Sequence, residues 1–96
     1  MDKKSKEYNL VLYNDPMQSF EHVVNSLQSC LNMTIESASK HAMMIHTKSR
    51  SVIFSGLLEH VEVFHEAMES YENEVRDEVI LPPLKTKIVK NKNFKK

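Results

Sequence analysis

The 96-residue chain has one glycine, one cysteine, three prolines and no tryptophan. A single glycine builds neither a phosphate-cradling loop nor a nucleophile elbow, which excludes the glycine-framed nucleotide and hydrolase sites. No Ser-His-Asp order can be drawn, and the chain reads as non-catalytic. Cys30 has no second cysteine to pair with, so an internal disulfide is excluded and a reducing compartment is expected. No apolar run approaches the roughly 20 residues of a bilayer span, and the residues after Met1 are polar, so no signal peptide is expected. The formal net charge is zero, leaving no global field to favour nucleic acid or membrane. The expectation is a cytoplasmic monomer with no nucleic-acid or membrane partner.

The composition itself is ordinary for a globular domain, 41% hydrophobic and 27% charged, and the length suits one core. The charge is unevenly placed. Glu59, Glu62, Glu66, Glu69, Glu72, Glu74, Asp77 and Glu78 face one base, Arg76, while lysines gather at both ends. This pattern suits a solvated acidic helix face and basic tails, or a docking face.

Residues 8–13 (Tyr-Asn-Leu-Val-Leu-Tyr) are β-forming and stop at Asn14-Asp15-Pro16, a turn signal. From Ser19, a candidate N-cap, Phe20, Val23, Val24, Leu27, Cys30 and Leu31 recur at helical period. Thr34 caps a second helix, with Ile35, Ala38, Ala42 and Ile45 on one face and Glu36 in the first turn. Residues 51–55 read as a short strand closed by Gly56, placed for a tight turn. A third amphipathic helix follows, with Leu57, Leu58, Val61, Phe64, Met68 and Tyr71 opposite the acids. Residues 72–83 have no clear period; Val79-Ile80-Leu81 suits a strand that Pro82-Pro83 ends. Leu84, Thr86 and Ile88 alternate as in a last strand. The order β-α-α-β-α-β predicts an α+β two-layer sandwich, three antiparallel strands with three helices on one face. A tail over 1–7, a domain over 8–90 and a disordered basic tail over 91–96 complete the expected organisation.

The five histidines give no metal site. His41 and His46 are five apart, as are His60 and His65, so neither pair shares a helix face at the i,i+4 spacing. No cofactor is expected. Six methionines, with Met43 and Met44 adjacent on the second helix, allow an adaptable apolar groove, although core filling is expected for most.

Leu12-Tyr13-Asn14-Asp15 followed by Phe20-Glu21-His22-Val23-Val24 resembles the start of a ClpS domain. Ala38 and Ile45-His46, then Ser55-Gly56 with Glu59, and Pro83-Leu84, continue the resemblance at matching spacing over residues 8–90. His22 and the Ser-Gly turn are most similar to divergent members from Bacteroidetes. The resemblance implies an adaptor that binds the N-terminal residue of a substrate, usually a large hydrophobic one, and delivers it to a Clp AAA+ unfoldase of the ClpA or ClpC type. It implies that Asn14, Asp15 and His46 hold the substrate amine. It also implies that Phe20, Val23, Ala42, Ile45 and Leu84 form an apolar hole with Gln18 or Ser19 at its mouth. Glu59 matches an unfoldase-contact position, and Glu62 shares its acidic face. The sequence departs from the family at Pro16, where many members have a second acid, and at Ala42, where many have Met. Phe20 replaces the usual Met, Ser49 a common Gly, and Phe64 a Lys. These differences keep open an interaction module on the same fold that does not read N-termini.

Overall fold

Strand β1 (Tyr8–Tyr13) lies between two partners: Leu10 and Leu12 face the core and are fully buried, with Tyr8 packed beside them, and Val11 between them is buried as well. The computed structural model describes residues 7–91. The expected tails fall outside the described residues except at Glu7 and Asn91. There the Asn91 N–H donates to the Glu7 carbonyl at 2.9 Å and carries the sheet one step further.

Strands β2 (Arg50–Gly56) and β5 (Lys85–Lys90) pair antiparallel with β1, giving the order β2-β1-β5. On β2 the register shifts opposite Leu10 and Val11, inserting Ile53 as an extra, buried residue. Helices α1 (Phe20–Leu31), α2 (Ile35–Lys48) and α3 (Leu58–Glu69) cover one face of this sheet. Val23, Val24 and Leu27 of α1, Ala38, Ala42 and Ile45 of α2, and Val61 and Met68 of α3 close the core over Leu10 and Leu12. Burying a Leu, Met or Val side chain fully contributes about 1.5–3 kcal/mol, so Leu10, Leu12, Leu27, Met68 and Val61, the largest fully buried apolar side chains, carry much of that core.

The helix starts are those the sequence marks. Ser19 Oγ accepts from the His22 N–H, and Thr34 Oγ1 accepts from the Ser37 N–H, each at 3.1 Å. Cys30 is half-buried against the core, its thiol on the Ala67 carbonyl at 3.4 Å, and burial pushes its pKa up. His41 Nδ1 lies 2.7 Å from Ser51 Oγ, joining α2 to β2, and burial lowers its pKa. Phe64 packs against Phe54, ring centroids 4.6 Å apart.

Gly56 ends β2 with only Leu57 between it and α3, at the tight strand-to-helix turn expected, and without positive φ; the left-handed positions among the described residues are Asn32, Ser49, Asp77 and Glu78. Two expectations change. Residues 72–83 hold a small second sheet, β3 (Val75–Arg76) and β4 (Val79–Ile80), turning through Asp77 and Glu78 at φ 53° and 68°. Two consecutive positive φ values are those of a type I′ hairpin turn. Met43 and Met44 are exposed, whereas Met68 fills the core.

Candidate functional site

The chain leaves β1 after Tyr13 and crosses to α1 in six residues, 14–19. Asp15 organises that crossing. Its Oδ1 accepts the Met17 N–H at 3.0 Å, and its carbonyl accepts the Gln18 N–H at 2.9 Å, a local turn of the kind Asp favours. Asp15 is only 8% exposed, and a carboxylate holds about four acceptor sites, so acceptor capacity remains after these bonds. The Asn14 backbone N–H donates to the Ser49 carbonyl at 2.8 Å, tying the strand end to the end of α2 and leaving the exposed Asn14 side chain uncommitted by that bond.

Asn14, Asp15, Pro16 and Gln18 of this loop, Phe20 of α1, and Met43 and His46 of α2 line one pocket of about 510 Å³. Its apolar walls are unusually exposed side chains, Phe20 at 46% and Met43 at 52%. Met43 and His46 lie in the last turns of α2, whose unpaired carbonyls carry partial negative charge. The pocket therefore combines a carboxylate, an amide, an imidazole and a helix C-terminus, all suited to a cation, with an aromatic and a thioether beside them.

Of the sequence-derived residues, Asn14, Asp15, His46, Gln18 and Phe20 come together at this pocket. Ser19 caps α1. Val23, Ala42, Ile45 and Leu84 are buried members of the core cluster and are not among the lining residues. Met43 is a wall that the periodicity did not single out, because it stands beside the apolar stripe of α2 rather than on it. Glu59 and Glu62 lie elsewhere, on exposed α3, lining a depression of about 470 Å³ with Val63, His65, Glu66, Glu69 and Ile88. His65 bridges that region, 2.8 Å from Thr86 Oγ1 and 3.5 Å from Glu69.

The β3-β4 segment reaches the pocket loop from outside. Glu74 Oε1 accepts the Ser19 N–H at 2.9 Å, Arg76 donates to the Met17 carbonyl, and Gln18 Nε2 donates to the Pro82 carbonyl. Arg76 also donates to Glu74 Oε2 at 3.2 Å. Burial alone would raise the Glu74 carboxyl, but hydrogen bonds from Ser19 and Arg76, together with the Arg76 charge, outweigh it and hold the group below the usual carboxylate range. Gln18 Oε1 is, among the described residues, the one buried side-chain polar atom without a hydrogen-bond partner.

Among the described residues no cluster of three or more His, Cys, Asp or Glu side chains is arranged to hold a metal, and no helix is long and apolar enough to cross a membrane.

The family model of the ATP-dependent Clp protease adaptor protein ClpS matches residues 3–86. The E3 ubiquitin-protein ligases UBR1 of Mus musculus and of Homo sapiens are each 29% identical to the chain over 73 residues, 76% of it. The chain spans about 4% of the length of those ligases. Among solved structures, Agrobacterium tumefaciens ClpS2 bound to L-phenylalaninamide superposes with a TM-score of 0.71 at 20% identity, covering 91% of this chain and 99% of that one.

Proposed function

The chain belongs to the ClpS family of Clp protease adaptors, and on that premise we propose that it binds protein substrates by their N-terminal residue and delivers them to a Clp AAA+ unfoldase. The observation that carries this reading is the meeting of Asn14, Asp15 and His46 in one pocket beside Phe20 and Met43. A free chain terminus brings an α-ammonium with three donors and, one bond away, its first side chain. The Asp15 carboxylate supplies the countercharge. The Asn14 amide oxygen and a neutral ring nitrogen of His46 supply further acceptors, and the C-terminal end of α2 adds a favourable potential. The first side chain lies against Phe20 and Met43, which favours an apolar residue; Met adapts its shape to several of them. The L-phenylalaninamide bound by Agrobacterium tumefaciens ClpS2 is a ligand of this chemistry and supports the reading.

This role is binding and transfer, without catalysis. The exposed Glu59 and Glu62 face of α3, remote in sequence from the pocket residues, is the proposed contact for an unfoldase of the ClpA or ClpC type, and the working unit is a cytoplasmic monomer. Titration with a peptide beginning in phenylalanine, free or N-acetylated, tests the reading. Loss of affinity on acetylation is the expected outcome; equal affinity overturns amine recognition.

One observation favours the alternative, a partner-binding module that does not read N-termini. Val23, Ala42, Ile45 and Leu84, the residues expected to form a deep apolar hole, are packed in the core. Partner capture that survives Asn14→Ala and His46→Ala but fails with Glu59→Lys and Glu62→Lys would select that alternative.

A further inference from the structure

Helix α1 begins with half of a capping box. Ser19 Oγ accepts the His22 N–H, but the reciprocal bond normally comes from Glu or Gln at the position His22 occupies. Here the missing carboxylate arrives from another element: Glu74, 55 residues later, accepts the Ser19 N–H. Arg76 takes the Met17 carbonyl and Pro82 takes the Gln18 side-chain amide, so three consecutive residues of the pocket loop are each bonded to the segment 74–82. A carbonyl only accepts, so the amide nitrogen of Gln18 must face Pro82, which fixes Oε1 on the other side as a partnerless acceptor.

The segment is anchored at its base, where the Leu81 N–H donates to the Glu74 carbonyl at 2.8 Å and Leu81 itself is buried. Its strands contribute nothing to the core: Val75, Val79 and Ile80 are exposed. Apart from the buried Leu81, the segment is connected to the pocket loop by these polar contacts. An irregular loop that carries four pocket-lining residues has little else to hold it beyond its own turn and the Asn14–Ser49 bond.

We propose that residues 74–82 brace the pocket loop, with Glu74 and Arg76 as positioning residues, so that the brace sets how tightly and selectively the pocket holds a first residue. This rests on the reading of the pocket given above. Neither residue touches the ligand; both act through the placement of Met17, Gln18 and Ser19.

The test uses the full chain as wild type, Glu74→Ala, Arg76→Met and a turn control, Asp77→Asn with Glu78→Gly, which keeps the hairpin geometry. Peptides beginning in phenylalanine or leucine, free or N-acetylated, are titrated, and amide exchange at Met17, Gln18 and Ser19 is followed by NMR. Expected are about tenfold weaker binding of the free phenylalanine peptide in both brace variants and an altered phenylalanine-to-leucine ratio. Faster exchange should be confined to the loop, with the control unchanged. A variant that loses overall fold is replaced by Glu74→Gln, which keeps an acceptor for Ser19 but removes the charge facing Arg76. Folded variants with wild-type affinity, ratio and loop exchange overturn the brace. If wild type ignores acetylation, the amine reading has failed on its own; loop exchange then decides, and unaccelerated exchange overturns the brace as well.

Discussion

The backbone N–H of Asn14 is bonded to the carbonyl of Ser49 at 2.8 Å, which joins the end of β1 to the residue that stops α2. Ser49 does this from a left-handed conformation, φ 76° and ψ −12°, with its own N–H on the Ile45 carbonyl. The reversal starts β2 at Arg50 opposite Tyr13 and leaves the last turn of α2, with His46, beside the Asn14–Gln18 loop.

A left-handed serine carries strain that glycine does not, offset in part by glycine's larger entropy loss. Ser49→Gly should therefore stabilise the fold by about 0.5–1 kcal/mol, read from urea denaturation midpoints. An unchanged or lower midpoint would show that Ser49 is unstrained there.

Asn14 and His46 are exposed, so truncating either should barely change folding stability, by about 0.5 kcal/mol or less. Each truncation should weaken a free-amine phenylalanine peptide about tenfold, equivalent to about 1.4 kcal/mol. Fluorescence anisotropy on Asn14→Ala and His46→Ala checks this. Wild-type affinity in both variants would remove them from the site.

Ala42 is 4% exposed within the core cluster. Ala42→Met should overpack that core and cost about 1–3 kcal/mol. Urea denaturation gives the cost directly. Full stability together with a changed first-residue preference would mean instead that the new side chain enters the pocket.

Glu74 has a lowered folded pKa, so its contribution is present above the unfolded carboxylate value, about 4.3, and is lost as pH falls through the lower folded value. The difference in Tm between wild type and Glu74→Gln should hold from pH 7 to about pH 5 and shrink below it. A difference independent of pH down to acid unfolding would contradict the charge contribution of Glu74.

His41 behaves with the same sign at higher pH. Burial lowers its folded pKa below the ordinary histidine value of about 6.5, so the unfolded chain takes up its proton first and stability falls as pH drops from there towards the folded value. His41→Asn keeps a polar group near Ser51 but cannot titrate, and should flatten the Tm profile between about pH 7 and pH 5. An equally steep profile in the variant would place that slope on another group.

The local patterns of this chain determined most of its frame. Period-3.6 stripes placed α1, α2 and α3, the Ser19 and Thr34 hydroxyls marked two helix starts, and the β-rich run before Asn14-Asp15 marked β1. Such signals are legible because they arise from contacts within one turn or one strand. The resemblance to ClpS grouped Asn14, Asp15 and His46 without any knowledge of their geometry. Tertiary structure alone decided which apolar residues became walls and which became core. Phe20 sits on the same stripe as Val23 yet is exposed, because the loop it follows holds it at the helix start beside the pocket. Of the 75–80 hairpin the sequence suggested only the second strand, at Val79-Ile80, and not its partner Val75-Arg76. Its strands are two residues each and exposed, so they carry no period. Glu74, Arg76 and Pro82 act on partners 55 to 64 residues away, a separation at which sequence pattern records nothing and only packing decides.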